Sequence, residues 1–226
     1  MGISDGAFDC VFAILSKSIP DYFEQINSIF SNFEDLIVKK VLGTIVDTQQ
    51  YNKKYFIEKT KGESVVFGGE VIENKIDKID RKIIGVLANN ARIPITELAK
   101  KVNSSVEVVK RRMKSLKEKE IILNYRVSVD LNKLGFEFFK AIIYFKSLSK
   151  KDEERLFEWM LTNPNSVYYI RSLAPWEVEF EFVVENYLNF NKIINNLRKD
   201  FSKVISHYEH LILIEEIWMP AYKEDE

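Results

Sequence analysis

Residues 79–99 read IDRKIIGVLANNARIPITELA, and residues 105–116 read SVEVVKRRMKSL. These two stretches decide the fold of the central part of the chain, because they predict three short helices with two tight breaks between them. Asn89–Pro94 forms the first break, and Asn103–Ser105 forms the second, where Ser105 is placed to cap the third helix. The inward-facing positions at helical spacing are Ile79, Ile83, Ile84 and Leu87, then Leu98 and Ala99, then Val109, Met113 and Leu116.

The third of these helices has a polar face opposite its apolar one. That face carries Glu107, Lys110, Arg111 and Lys114. After Glu120 the pattern changes to a period of two over Ile122–Val129, which predicts a β-hairpin, or wing. Three helices followed by a hairpin predict a winged helix-turn-helix domain over residues 75–129.

The charge of the chain is unevenly distributed. The whole sequence has a formal net charge of −1. Between Glu73 and Ser128 there are 14 Lys/Arg against 7 Asp/Glu, whereas residues 1–72 have 7 against 10 and residues 129–226 have 12 against 17. One basic module between two acidic regions is the pattern expected of a small domain that binds phosphate, although a solvated helix surface gives the same count.

The C-terminal part predicts an α+β domain in the order strand, helix, two strands, helix, strand. The predicted strands are Phe136–Lys146, Ser166–Leu173, Val178–Glu185 and Tyr208–Trp218, and the helices are Lys150–Thr162 and Tyr187–Phe201. A βαββαβ order makes a ferredoxin-like sheet with both helices on one face. We therefore predict a ferredoxin-like domain over residues 130–226.

The N-terminal segment repeats the second half of this domain. At a constant offset of 168 positions, Ser4 matches Ser172, Phe12 matches Phe180 and Phe33 matches Phe201. The repeat predicts that residues 1–55 supply a third strand, a second helix and a fourth strand, with a connector over residues 56–74 and a short hairpin at Ser64–Phe67. The first strand would be missing from between the two that remain. We expect the segment to close this gap by pairing its own strands or by borrowing one from another chain.

Composition narrows the classes of protein further. No apolar run approaches the roughly 20 residues that span a bilayer, and no secretory signal is visible, so we expect a cytoplasmic protein without membrane contact. Cys10 is the single cysteine, which excludes an internal disulfide. His207 and His210 are a poor metal pair without a third ligand, and we predict neither a metal nor another cofactor.

Several motifs together resemble the leucine-responsive/asparagine-responsive (Lrp/AsnC) family of regulators. They are Ile79–Ile84, Asn89–Arg92, Glu97–Ala99, Ser105–Val109, Arg112, Leu116, Ile121–Ile122, Asp130 and Leu134–Gly135. The resemblance covers residues 76–222 as a complete module, and the repeat suggests that residues 1–55 end a preceding one. The chain looks similar to archaeal tandem versions of the family, and we expect an N-terminally shortened one. The family usually has glycine at the position of Glu120, which predicts a different end for the third helix.

The resemblance implies a sequence-specific DNA-binding transcriptional regulator whose third helix enters the major groove. We expect Lys110, Arg111 and Lys114 to contact DNA, with Ser105 and Glu107 at the end of the helix that points into the groove. Arg92 and Arg126 are expected at phosphates. Arg112 has two interpretations, a DNA contact or an internal ion pair.

The resemblance also implies partners for the C-terminal domain. Two half-sites about 34 Å apart require a homodimer or a higher even oligomer of the chain on double-stranded DNA. In the family the sensing domains supply this dimer by packing their sheets together. The candidate positions are Phe138, Ile142, Tyr144, Phe180 and Phe182. A small effector such as an amino acid would bind near Tyr169, Arg171, Trp176 and Glu177, where an arginine can bind a carboxylate in bidentate fashion.

Two other functions stay open at this point. Siroheme decarboxylases look similar in architecture, but they need a basic pocket and a base or haem-facing histidine, and the basic residues here cluster on the third helix. We therefore do not expect an enzyme, and we predict no catalytic residues. A ligand-independent architectural DNA-binding protein would show a steep salt dependence without sequence preference.

Overall fold

The computed structural model describes residues 1–56, 64–70 and 74–216, and these residues form two compact units. The first unit contains the described residues up to Gly69 and those from Asp130 onward; the second contains those from Glu70 to Val129. No helix in the described ranges is long and apolar enough to cross a membrane. Each unit is described separately below.

The N-terminal segment contributes one helix and four strands to the first unit. They are β1 (Gly2–Gly6), β2 (Cys10–Val11), α1 (Ile19–Ser31), β3 (Thr44–Tyr51) and β4 (Ser64–Gly68). In place of the short hairpin predicted at Ser64–Phe67, the structure has the single strand β4, which pairs antiparallel with β3. Predicted connector residues 57–63 and 71–73 lie outside the described residues.

The second unit is the predicted trio of helices, α2 (Lys78–Asn89), α3 (Ile95–Lys101) and α4 (Val106–Glu118). Asp77 caps α2, because its side chain accepts hydrogen bonds from the backbone N–H groups of Ile79 and Asp80. Ser105 caps α4 as predicted. The core of the unit consists of Ile83, Leu87, Leu98, Ala99, Val102, Val109 and Leu116. Helical periodicity therefore predicted all of this core except Val102.

The prediction of a β-hairpin wing after α4 is wrong. Residues 121–129 form no strand, and Leu123, Tyr125 and Val127 are all exposed. Apolar and polar residues alternate in the sequence of this segment, but a two-stranded hairpin also needs a turn and a second strand to pair with. The segment has no Gly or Asn-Gly turn and runs into a 3-10 helix at Asn132–Leu134.

Helix α4 ends in the way that the family's glycine would dictate, although the residue is Glu120. The backbone φ angle of Glu120 is 54°, in the left-handed region. The N–H of Ile121 donates to the Leu116 carbonyl at 2.9 Å, and the N–H of Glu120 donates to the Lys117 carbonyl at 3.0 Å. This pair of bonds is a Schellman motif, so our prediction of a different helix end is wrong.

Replacing Glu120 with glycine is expected to stabilise the second unit by about 1 kcal/mol, because glycine adopts the left-handed conformation without a Cβ clash. Hydrogen exchange at the Val109 and Leu116 amides measures the change within this unit. The matched control is Glu118→Gly, in the last turn of α4, where glycine is expected to destabilise by a similar amount. Equal effects of the two substitutions would contradict the account.

The C-terminal part of the first unit has the predicted βαββαβ order. Its elements are β5 (Glu137–Phe145), α5 (Lys150–Thr162), β6 (Ser166–Leu173), β7 (Val178–Val184), α6 (Tyr187–Asp200) and β8 (Ile205–Glu216). The four strands lie in the order β8-β5-β7-β6, as a ferredoxin-like sheet requires. Leu156, Phe180, Phe182 and Ile194 are among its fully buried core residues. We call this part of the chain the sensing domain, after the role that the family resemblance predicts for it.

The N-terminal strands extend the sheet of the sensing domain at both edges. The full order is β2-β1-β8-β5-β7-β6-β3-β4, with β1 antiparallel to β8 and β3 antiparallel to β6. Among the described strands, β1 and β3 do not pair with each other across the expected gap, and each pairs instead with an edge strand of the sensing domain in the same chain. Unpaired edge groups of the segment and of the sensing domain satisfy each other instead.

Candidate nucleic-acid interface and ligand site

Helix α4 presents the predicted basic face to solvent. Lys110, Arg111 and Lys114 are exposed, and Glu107 is exposed in the first turn. Lys114 Nζ lies 3.7 Å from Glu118 Oε1, and both of these side chains are largely accessible. The opposite face packs in the core through Val109 and Leu116, which are 0% and 2% exposed. The orientation of the helix in its unit therefore leaves these cations available to an outside partner.

The other predicted DNA-binding residues have different environments. The Ser105 hydroxyl accepts a hydrogen bond from the Val108 N–H at 3.3 Å and so caps α4, while its own hydrogen stays available to donate. Arg92 is exposed in the turn before α3, where its backbone N–H donates to Asn90. Arg126 is half-buried in the irregular segment that follows α4.

Of the two roles predicted for Arg112, a DNA contact or an internal ion pair, the structure shows the internal ion pair. Its Nη1 donates to Asp77 Oδ2 at 2.5 Å and to Asp80 Oδ1 at 3.0 Å, so that α4 is tied to the N-terminus of α2. The hydrogen bond from the Asp80 backbone N–H and that from the Arg112 guanidinium both lower the pKa of the Asp77 carboxyl. Arg112 thus holds α4 against the start of α2 and is not part of the exposed basic face of α4.

The predicted ligand arginine is also engaged within the chain. Arg171 on β6 makes a bidentate ion pair with Asp47 on β3, in which Nε lies 2.8 Å from Oδ1. Its Nη1 donates to Glu153 on α5 at 2.8 Å. Two carboxylates hold this guanidinium, and they raise its pKa through their hydrogen bonds. Binding of a ligand carboxylate by Arg171 stays a prediction, and in this structure such a ligand would compete with Asp47 and Glu153 for the guanidinium.

Trp176 and Glu177 likewise contact other residues of the first unit. The indole N–H of Trp176 donates to Glu179 Oε1 at 2.9 Å, and its ring lies 5.8 Å from that of Phe8. Glu177 Oε2 accepts from the Phe145 backbone N–H at 3.2 Å. Both residues hold the turn between β6 and β7 against neighbouring strands.

Tyr169 differs from the other three predicted ligand residues. It is 2% exposed, and burial raises the pKa of its hydroxyl. Among the described residues, neither its hydroxyl nor the Oε1 atom of Gln49 has a hydrogen-bond partner. Gln49 and Tyr169 are paired across β3 and β6, so two unsatisfied polar groups lie on neighbouring residues. Such groups call for an additional polar partner.

The two histidines lie three residues apart on β8, so their side chains point to opposite faces of the sheet. His207 stacks on Tyr144 with ring centroids 4.0 Å apart, while His210 lies beside the ring of Phe190. The described part of the chain contains no group of three His, Cys, Asp or Glu side chains that could hold a metal ion.

The residues expected to pack sheets between two copies are already partly covered. Phe180 and Phe182 lie in the core beneath the helices, each 0% exposed. Ile142, on the other face of β5, is 1% exposed within a single chain. Phe138 and Tyr144 retain partial exposure.

Our sequence analysis missed a buried charge cluster on the face of the sheet that carries Ile142. Lys140 Nζ lies 3.1 Å from Glu181 Oε1 and also pairs with Glu179. Although burial alone lowers the pKa of Lys140, the two carboxylates raise it overall. The sequence did contain a signal for this cluster, because Lys140, Glu179 and Glu181 are charged residues within otherwise apolar strands. Asp47 and Gln49 gave no comparable signal, since they lie more than a hundred positions from their partners.

The chain contains a helix-turn-helix unit whose third helix has a basic exposed face, and a separate ferredoxin-like sheet. This combination of elements is the one expected of a DNA-binding regulator. The family of AsnC-type helix-turn-helix domains matches residues 76–117. The HTH-type transcriptional regulator LrpA of Pyrococcus horikoshii is 34% identical over 114 residues, which cover 50% of this chain and 67% of the relative. The chain therefore belongs to the Lrp/AsnC family of transcriptional regulators.

Other relatives agree with this assignment. An uncharacterized HTH-type transcriptional regulator of the same organism is 27% identical over 146 residues, which cover 63% of this chain and 95% of the relative. The structure of E. coli AsnC matches with a TM-score of 0.55 at 23% identity and covers 66% of this chain and 99% of its own. A regulator from Neisseria meningitidis, solved as a complex with L-Met, has a TM-score of 0.57 at 18% identity, covering 65% of this chain and 95% of its own. These two structures support the fold.

Proposed function

We propose that α4 is the reading helix of this regulator and that it enters the major groove of double-stranded DNA. The main support for this proposal is that Lys110, Arg111 and Lys114 lie on one exposed face of a helix whose other face is buried. Arginine and lysine are the side chains that most often contact guanine edges, and they also bind phosphates. Glu107 and Ser105 lie at the N-terminal end of the same helix, which points toward base edges in this type of docking.

Selection of bound sequences from random DNA, followed by fluorescence anisotropy across a range of salt concentrations, tests the proposal. We expect one enriched sequence, bound more tightly than unrelated DNA by at least about a thousandfold. Binding without sequence preference and with a steep salt slope would indicate an architectural DNA-binding protein instead. No binding to any DNA at low salt would contradict the proposed function.

We further propose that an amino acid or other small polar ligand binds the first unit and modulates DNA binding. The support within the chain is the pair of buried, unsatisfied polar atoms, Tyr169 Oη and Gln49 Oε1. The Neisseria relative that binds L-Met supports the ligand class. Arg171 would join this site only by exchanging Asp47 and Glu153 for the ligand.

Replacing Tyr169 with phenylalanine is expected to raise the free energy of unfolding by about 1 kcal/mol without ligand, because a buried hydroxyl without a partner is removed. The matched control is Tyr168→Phe, which removes a hydroxyl that accepts from Gln50 at 2.5 Å and should lower stability by a similar amount. Urea unfolding measures both variants.

The same two variants test the ligand site. Melting temperature is measured with L-methionine and with each of the other amino acids in turn. Any stabilising shift is expected to be weakened by Tyr169→Phe and retained in Tyr168→Phe. A ligand shift that is unchanged by Tyr169→Phe would place the site elsewhere.

The enzyme alternative has less support than regulation. The relatives named above carry the names of transcriptional regulators. The basic residues expected to hold propionates lie on α4, and both histidines are engaged with aromatic rings. We therefore propose a regulator without a catalytic step.

A further inference from the structure

The N-terminal segment repeats the second half of the sensing domain in structure as well as in sequence. Helices α1 and α6 begin at Ile19 and Tyr187, and they are capped by the side chains of Ser18 and Asn186. The N–H of Ser4 donates to the Asp9 carbonyl at 2.9 Å, and the N–H of Ser172 donates to the Glu177 carbonyl at 2.9 Å. Each pair of counterparts is 168 positions apart, the offset found between the two sequences.

The hairpins of the two repeats also share one register. In the first repeat Gly2 pairs with Val11 and Ile3 with Cys10. In the second repeat Ile170 pairs with Glu179 and Arg171 with Val178, again at the offset of 168. Strand β1 is therefore the counterpart of β6, while β3 is the counterpart of β8.

The two repeats exchange their outer strands. Strand β1 pairs with β8, and β3 pairs with β6, so each joins the counterpart of the other. At the first junction the pairs are Gly2 with Glu216, Ile3 with Glu215, Ser4 with Leu213 and Asp5 with Ile212. At the second junction they are Thr48 with Ile170, Asp47 with Arg171, Ile45 with Ser172 and Thr44 with Leu173.

Each of these four pairs at one junction becomes a pair at the other when 168 is added to one residue number and subtracted from the other. The irregularity in register is reproduced too, between Ile3 and Ser4 in one junction and between Ile45 and Asp47 in the other. Reciprocal contacts of this kind define the isologous interface of a twofold dimer. Two unrelated edge pairings have no physical reason to share four residue pairs and one bulge.

We propose that residues 1–51 act as the second sensing domain of an internal, pseudo-symmetric dimer. The segment closes both edges of the sheet formed by β5 to β8, so these edges are unavailable to another copy of the chain. The partner of the sensing domain at this interface is a repeat within the same polypeptide.

Side chains make the two junctions unequal. Strand β3 is anchored by the Asp47–Arg171 ion pair and by Tyr51, which is 2% exposed within the main core. At the equivalent place in the first junction, Ile3 faces Glu215 without a complementary charge. This junction depends instead on close contact between backbones, because a Cβ on Gly6 would come within 2.5 Å of the His210 carbonyl oxygen. The internal partner has therefore diverged from the sensing domain while its strand pairing is preserved.

An engineered disulfide tests the inference in the full chain. In a Cys10→Ser background, Ile45→Cys and Ser172→Cys place two thiols on residues that are paired between β3 and β6. The Cα atoms of paired residues in antiparallel strands are in general about 4.5–5.5 Å apart, which a disulfide accepts. The matched control combines Ile45→Cys with Ser206→Cys, an exposed position on β8 that does not pair with β3.

We expect the first pair to oxidise within one chain, so that it migrates as a monomer on a non-reducing gel at both low and high protein concentration. Analytical ultracentrifugation should give the same mass for the oxidised and the wild-type chain, because the disulfide forms within a pairing that already exists. The control pair should stay reduced. A covalent dimer would show that β3 pairs with another copy, and failure of the first pair to oxidise would remove β3 from β6; either result overturns the proposal.

Discussion

Replacement of Lys140 with methionine is expected to lower the free energy of unfolding by about 3–5 kcal/mol. The Lys140, Glu179 and Glu181 side chains are 14%, 10% and 9% exposed, so the substitution leaves two carboxylates close together with little access to water. Methionine fills a similar volume and removes the only cation of this cluster. The cost comes from uncompensated buried charge rather than from a cavity.

Urea unfolding followed by tryptophan fluorescence measures this change, because Trp159 and Trp176 both lie in the first unit. The triple variant Lys140→Met/Glu179→Gln/Glu181→Gln is the control, since it removes all three charges and should recover most of the lost stability. The defect of Lys140→Met should also shrink as the pH falls, when the isolated carboxylates take up protons. A loss below about 1 kcal/mol would mean that water reaches the cluster and screens it.

Replacement of both Lys110 and Arg111 with alanine is expected to weaken binding to the selected DNA about a hundredfold. Loss of one arginine contact to a base typically costs about 1–3 kcal/mol, and loss of a lysine–phosphate contact reduces the salt slope by about 1. Alanine is a strong helix former and both side chains are exposed, so α4 should stay folded.

Lys150→Ala/Lys151→Ala is the matched control for this pair. It removes the same charge from the exposed first turn of α5 in the sensing domain, and it should change DNA affinity by no more than about twofold. Anisotropy at several salt concentrations measures both variants. Equal weakening by the two would show that net charge, rather than the face of α4, governs binding.

For the candidate DNA interface, the sequence predicted the helix, its buried face and its exposed cations. Periodicity was sufficient because residues i, i+4 and i+7 share a helix face in any fold. Arg112 was the exception, since it belongs to the same helix and the same run of cations. Its role depends on Asp77 and Asp80 of α2, and their distance from Arg112 is a property of helix packing.

The ligand prediction shows a larger gap between sequence and structure. Arg171 lies at the turn region where the family resemblance placed the effector, yet Asp47 from a distant part of the chain occupies it. Tyr169 was predicted to be a ligand residue from the resemblance, and the structural support for this role is its buried hydroxyl without a hydrogen-bond partner. Neither environment could be predicted without knowing which strand lies beside β6.

The sequence by itself determined the local elements, the cap at Ser105, the order of the sensing domain and the offset of its repeat. These features depend on interactions within one turn of helix or along one strand, where the spacing of residues already sets the geometry. Only the tertiary structure decided that the segment after α4 forms no wing, and that β1 and β3 join opposite edges of one sheet. Pairing between distant strands depends on which edge groups are left unsatisfied once the whole sheet has formed, and no short stretch of sequence contains that information.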